Sequence, residues 1–525
     1  MTRGGAGSGS RRASVVIGNG PVGQTTALLL ARWGVPVVLL DGRPCRDLVG
    51  SKAICQQRDV LDVWDAVGAG RRIADEGVTW TTARTFYRDE ELFAYTLGDA
   101  GRSAFPPFVN ISQARTEEIL DELIAAQPLI DVRWRHQVED LRQDANGVTV
   151  RCANGQEIRA AYAVACGGAR GDGLRRLLGV SFDGHSFDDR FLICDIRADL
   201  PGWAHERRFH FDPSWNPGRQ VLIHPCPDST FRIDWQVPGD YDLAGEEAGG
   251  ALDSRIRAII GDTPYEIVWK SVYRFHSRVV DRMRVGRVLL AGDCAHLVSP
   301  FGARGLNSGV GDAENAAWKL AYVLHGRAGQ DLLESYHEER HAAAVENIEV
   351  TTATMDFLVP RSDEQREVRL RGLSTAAGDP AMQARVDSGR LSEPFWYVTS
   401  PLVTPDPSRP FAGRPPRGSV PAAGPGILVP DVPVSTVEGK RFRELARDGF
   451  LVLAAADADV TGLPVPALAL ADIDTTGALA GALGARPGEY WLIRPDAYVA
   501  AVVTSRAEVE EALQRALGRV VIPQG

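Results

Sequence analysis

A strand, a glycine-spaced turn, a helix and a second strand ending in an acid follow one another in "SVVIGNGPVGQTTALLLARWGVPVVLLD", residues 14 to 41. The order of these parts constrains the fold more than any other feature of the chain. Gly18 turns the backbone, Gly20 leaves room for a pyrophosphate, and Gly23 lets helix and strand pack closely. The helix that starts there and runs to about Trp33 offers free N–H groups and a positive dipole end to the phosphates. Asp41, at the end of the second strand, has the spacing that hydrogen-bonds a ribose hydroxyl. A Rossmann-like, dinucleotide-binding βαβ unit is the expected structure, and both NAD and FAD are compatible with it.

A second stretch chooses between them. In "RVLLAGDCAHLVSPFGARGLN", residues 287 to 307, an apolar strand runs into an aspartate, a proline and several glycines just before a helix. An ordinary βα turn accounts for the glycines. It leaves unexplained a carboxylate on one side and bare backbone on the other. With its continuation to "NSGVGDAENAAWKLA", this stretch resembles the second flavin motif of the single-component FAD-dependent aromatic hydroxylases, typified by para-hydroxybenzoate hydroxylase and phenol hydroxylase. The resemblance implies that Asp293 binds the ribityl chain and that Pro300 and Gly302 line the flavin ring. It also implies that backbone groups around Gly305, Leu306 and Asn307 meet the pyrimidine end of the isoalloxazine. Reduced flavin is anionic at N1, and a helix beginning near Leu306 would present unpaired N–H donors to that charge. His296 is expected to be structural, and Asp312 and Glu314 to be first-turn helix carboxylates.

The resemblance extends to other segments. "GSKAICQQRDVLDVWDAVG" is similar to the family segment whose basic residue reaches the pyrophosphate, which here is Lys52, while Arg43 follows the ribose-binding acid. Lysine supplies the charge of the usual arginine without its fork. "FPPFVNISQARTEEIL" is similar to the segment whose glutamine touches the cofactor, here Gln113. One motif departs: "AVACGGARGDGLRRLLG" places Gly167-Gly168 where the family has Asp-Gly, and Asp172-Gly173 follows five residues later. Slow flavin reduction by NAD(P)H is the expected consequence.

At 525 residues, 44% hydrophobic and 24% charged, the chain suits several ordinary globular units. A net charge of -10 and a pI near 5.6 argue against nucleic acid as a partner. No long apolar run suggests a membrane span, and "MTRGGAGSGSRR" reads as a floppy tail without a signal peptide's apolar region. Seven scattered cysteines with no C-x-x-C fit a reducing cytoplasm. The expected fold class is α/β and α+β. A discontinuous Rossmann-like FAD-binding domain (1–75, 98–181 and 272–395) with a helical extension would carry an inserted antiparallel-sheet substrate domain (76–97 and 182–271). A Pro/Gly-rich linker (396–416) would lead to a thioredoxin-like domain (417–525). That last unit has no cysteine, so its expected work is structural or in oligomer contacts, and a homodimer is allowed.

The family's chemistry implies that NADPH or NADH reduces FAD, that O₂ forms a flavin C4a-hydroperoxide, and that a small aromatic substrate accepts one oxygen atom. No metal is required. A base or positive field beside the ring hydroxyl would help, because phenolate is the more reactive form. In "FRIDWQV" the period of a strand puts Arg232, Asp234 and Gln236 on one face and Phe231, Ile233 and Trp235 on the other. His224, in "VLIHPC", is a candidate for the same cavity. Arg232, Asp234, His224 and the flavin-ring residue Pro300 are therefore the candidate catalytic groups. The alternative is a solvent-facing Arg–Asp pair with a surface histidine. Baeyer–Villiger or epoxidising oxygenation, or a non-catalytic FAD-binding protein, are the other functional readings. Simple phenols, phenylpropionates and polycyclic polyketides are all substrates within this branch.

Overall fold

The computed structural model describes residues 13–47, 52–97, 103–386, 388–416, 419–435 and 440–519; the tail over residues 1–12 lies outside them. Strand β1 (Ser14–Ile17) is buried along its whole length, as expected of a parallel strand covered on both faces. It pairs in parallel with β2 (Val37–Leu40) on one side and with Tyr162–Ala165 on the other. Ile130–Arg133 and Val288–Leu290 extend this sheet, and an antiparallel edge strand, Arg284–Val285, makes it six-stranded. Helix α1 (Pro21–Arg32) joins β1 to β2 and begins with a proline, whose missing N–H costs nothing at a helix start. Beyond β2, the short strand β3 (Cys55–Gln57) leads into helix α2 (Arg58–Asp65).

The second sheet has eight strands. Its central members are β4 (Phe182–Ala198), β5 (Glu206–Phe211), β6 (Gln220–Cys226), β7 (Thr230–Val237) and β8 (Tyr265–Val280), arranged β8-β4-β7-β6-β5. Thr82–Tyr87 and Glu90–Thr96 continue it beyond β5, and His296–Leu297 borders β8. Strand β8 crosses position 271, where the sequence suggested a domain boundary, so residues 272–280 belong to this sheet. On the back face, Phe231, Ile233 and Trp235 pack with Leu252, Ile256 and Ile260 of helix α3 (Ala251–Ile260). On the front face, Phe191, Phe209, Phe211 and Leu222 cluster with Phe301, Met355 and Leu358.

Two long helices follow, α4 (Arg304–Leu324) and α5 (Glu334–Leu358). The C-terminal unit contains the short helix α6 (Phe442–Ala446) and a four-stranded sheet built on β9 (Leu451–Ala454). Ala467–Ala469 runs parallel to β9, while β10 (Tyr490–Ile493) and β11 (Val499–Val503) continue the sheet in antiparallel fashion. Its last helix, Arg506–Ala516, starts with a Ser505/Glu508 capping box. No helix among the described residues is long and apolar enough to cross a membrane.

Candidate active site

The first glycine turn is tight where protein packs and open where a ligand would approach. Gly18 has φ of +110°, and a Cβ there would lie 2.3 Å from the Cys166 carbonyl oxygen. A Cβ on Gly23 would lie 1.8 Å from the Gly18 carbonyl oxygen, whereas one on Gly20 would meet nothing within 4 Å. The first turn of α1 has neither a capping side chain nor an acid, so its N–H groups suit a pyrophosphate. Asp41 accepts a hydrogen bond from the Asn19 backbone at 2.9 Å and is gripped by Arg43 through both carboxylate oxygens. Burial pushes the Asp41 carboxyl upward, but the Arg43 contacts outweigh it and hold the group below its ordinary range.

Arg46, not singled out in the sequence, completes this corner. Its guanidinium bonds Glu117 at 2.6 Å, Asp121, and the Asn19 side chain at 3.0 Å. No motif marks it, and only its place in an arginine-containing loop next to Asp41 could have drawn notice.

The second turn has the features expected of a flavin loop. Asp293 lies in a 3₁₀ turn, accessible to solvent yet surrounded closely enough by protein that burial raises its carboxyl pKa. Gly302 (φ +90°) and Ala303 (φ +57°) then turn the chain into α4, which starts at Arg304 with no capping side chain and no acid in its first turn. Gly305 and Leu306 thus offer bare amides. The Asn307 side chain accepts from the Gln57 backbone N–H and donates to the Cys55 carbonyl, both at 3.0 Å, tying α4 to β3. Gln113 accepts from the Ala53 backbone at 3.1 Å, and its amide group donates to Glu117 at 2.8 Å. Lys52 and Pro300 are exposed at the rim.

Asp312 and Glu314 are not first-turn carboxylates. Asp312, two turns into α4, is wholly buried and accepts from the Gly292 backbone (2.9 Å), His296 Nε2 (2.7 Å) and Arg340 Nε (2.7 Å). It pins the strand end that carries Asp293, and His296 is part of that support. Asp172 starts a short helix with its side chain 69% exposed and paired with Arg175. At Gly167 itself a Cβ would lie 2.9 Å from Leu174 Cδ1.

Across the front face of the large sheet, Asp195, Arg232 and His224 stand in register on β4, β7 and β6. Arg232 is buried and forked on Asp195, Nε to Oδ1 at 2.8 Å and Nη2 to Oδ2 at 3.1 Å, and it also donates to the Lys52 carbonyl at 3.1 Å. Arg232 therefore pairs with Asp195, and the solvent-facing Arg232–Asp234 pair of the alternative reading is not what the structure has. Asp195 was missed, although an acid inside the apolar run "FLICDI" was a readable signal. Asp234 Oδ1 is buried without a hydrogen-bond partner, and so is His224 Nδ1. Burial, helped by Asp195 and opposed by Arg232, pushes Asp234 up to about 7. Burial and the charges of Arg207 and Arg232 drive His224 well below its ordinary value, leaving it neutral. Phe301, adjacent to Pro300, meets Phe191 edge-on at 5.3 Å, so the Pro300–Gly302 loop abuts this face.

A family model described as FAD binding domain matches residues 12–351. The chain is 28% identical over 443 residues to a 3-(3-hydroxy-phenyl)propionate/3-hydroxycinnamic acid hydroxylase of Mycobacterium sp. (strain KMS), covering 84% of this chain and 74% of that protein. It is 31% identical over 409 residues to a flavin-dependent monooxygenase of Mycobacteroides abscessus, covering 71% and 82% respectively. Two crystal structures share the fold over 97% of this chain and 99% of theirs, each at 23% identity. The flavin-dependent monooxygenase PieE, in complex with FAD and substrate, has a TM-score of 0.83, and aklavinone-11 hydroxylase, with FAD and aklavinone, has 0.77. The family match spans both glycine turns and well over half the sequence: the chain belongs to the FAD-binding-domain family and is an FAD-dependent monooxygenase.

Proposed function

We propose that this enzyme uses NAD(P)H and O₂ to hydroxylate a phenolic or polycyclic aromatic substrate lying between the front face of the eight-stranded sheet and the Pro300–Gly302 loop, with Asp234 as the proton acceptor for the ring hydroxyl. Bound FAD supplies the redox chemistry and oxygen activation. The chain's own residues prepare the ring. Asp234 takes the phenolic proton and so raises the electron density of the ring that is to be oxygenated. His224, neutral and diagonally across the β6–β7 pair from Asp234, offers a second polar atom to the same substituent. Arg232, fixed by Asp195, adds positive potential near the resulting phenolate without donating its fork to it. The phenylalanines around Phe191 and Phe301 provide the apolar surface that excludes water.

The observation that carries this reading is the Asp234 carboxylate oxygen, buried on an aromatic-lined face with no partner of its own. A buried group of that kind is costly unless something else satisfies it. The names of the relatives support both ends of the substrate range, from a single hydroxylated ring to a fused polycycle. The test is substrate-stimulated NAD(P)H oxidation with product identification, comparing hydroxyphenylpropionates with fused polyphenols. No hydroxylated product from any phenol would overturn the reading.

A further inference from the structure

We propose that the C-terminal unit tunes the reduction potential of the flavin site through Arg443 and Arg447, whose two positive charges bond and offset a cluster of three carboxylates on the two helices that begin beside the cofactor's pyrimidine end. The inference rests on the FAD site alone and is independent of the role given to Asp234.

Helices α2 and α4 are joined at their starts, where Asn307 accepts from the Gln57 backbone N–H. Asp59 and Asp62 lie on α2, and Glu314 lies seven residues beyond Asn307, about 10 Å along α4. The guanidinium groups bonded to these acids come from the C-terminal unit. Arg447 donates to Asp62 at 2.6 Å and to Glu314 at 2.8 Å. Arg443 bonds Asp59, with Asp62 at 3.4 Å. Both arginines are buried, at 8% and 4% exposure, so their charges are poorly screened by solvent. Arg443 is held within its own unit by the Val429 carbonyl at 2.8 Å. A cavity of about 70 Å³ has Gln57, Asn307 and Ser308 in its lining together with Asp59, Glu314 and Arg447.

Flavin reduction places negative charge at the pyrimidine end of the ring. An uncompensated carboxylate nearby opposes that charge, and a paired one does not. At about 10 Å and an effective dielectric of about 20, one unbalanced charge changes an equilibrium by about tenfold. The sequence suggested a structural or oligomer role for this cysteine-free unit; its arginines give it an electrostatic one.

The test is the midpoint potential of the FAD-loaded full-length enzyme, measured by equilibrium reduction against a reference dye. Arg447→Met should shift the two-electron reduction equilibrium about tenfold toward oxidised flavin, about 30 mV, while Arg447→Lys should keep the wild-type potential. Adding Glu314→Gln to Arg447→Met restores the net charge and should restore the potential. If Arg447→Met yields no holoenzyme, Glu314→Gln alone removes one negative charge and should raise the potential by a similar amount. An unchanged potential in Arg447→Met or Glu314→Gln overturns the proposal. So does a shift that the added Glu314→Gln fails to reverse, because that outcome reports a packing defect and not charge.

Discussion

Asp195 holds Arg232 by a two-point fork across neighbouring strands, at 2.8 and 3.1 Å, while Oδ1 of Asp234, one pleat further along the same strand as Arg232, is buried without a hydrogen-bond partner. One acid serves the framework, and the other is the proton acceptor proposed above. Removing Asp195 as Ala strands a buried guanidinium, and such a loss costs about 3 to 5 kcal/mol. Urea unfolding of Asp195→Ala should show that drop, with the midpoint moving and the slope unchanged.

Asp234→Asn should fold and bind FAD normally yet lose hydroxylation by about 10²- to 10⁴-fold, the usual contribution of a positioned proton acceptor. The wild-type kcat/KM should rise with pH through about 7 as Asp234 ionises, and the variant should lack that limb. Stability has the opposite sign. The folded-state pKa is raised above the unfolded value of about 3.9, so the contribution is full below that pH and is lost as pH rises through about 7. Denaturation midpoints across this window should fall with pH in the wild type and stay flatter in Asp234→Asn.

Arg232→Ala should raise the fraction of NAD(P)H diverted to hydrogen peroxide more than it weakens FAD, because loss of the Lys52 carbonyl contact and of the local positive potential misplaces the ring. The ratio of product formed to NAD(P)H consumed is the measurement. An unchanged ratio would put Arg232 outside the reaction.

Gly20→Ala and Gly23→Ala separate ligand space from packing space. A methyl group at position 20 meets no protein atom within 4 Å, so Gly20→Ala should keep its thermal midpoint without FAD and lose flavin affinity. A methyl at position 23 collides with the Gly18 carbonyl, so Gly23→Ala should lose both. Flavin absorbance per chain and apo-protein melting decide the matter.

Asp293→Ala should abolish tight FAD binding, and Asp41→Ala should weaken it by roughly 1 to 3 kcal/mol, the cost of leaving buried partners such as the Asn19 amide unpaired. Asp172→Ala, by contrast, should leave the stopped-flow rate of flavin reduction unchanged, since its carboxylate is exposed on Arg175. Equilibrium FAD titration of the first two variants and rapid-mixing reduction of the third check these outcomes.

Much of the candidate cofactor site's backbone was legible from local order along the chain. The β1–α1–β2 unit with Asp41, and the strand–turn–helix carrying Asp293 and Gly302, are each contained in about thirty consecutive residues or fewer, where glycine spacing and strand pattern act directly on the backbone. The face carrying Arg232 and Asp234 was also readable, because side chains alternate along any strand. Partner choice was not. Arg232 bonds an acid 37 residues earlier on a neighbouring strand, Asp312 is turned inward by an arginine 28 residues later, and Glu314 is neutralised from 133 residues away. A sequence states which side chains are able to pair. The register of strands and the packing of helices decide which of them are brought within 3 Å, and burial makes that choice matter by removing the water that would otherwise serve any of them equally well.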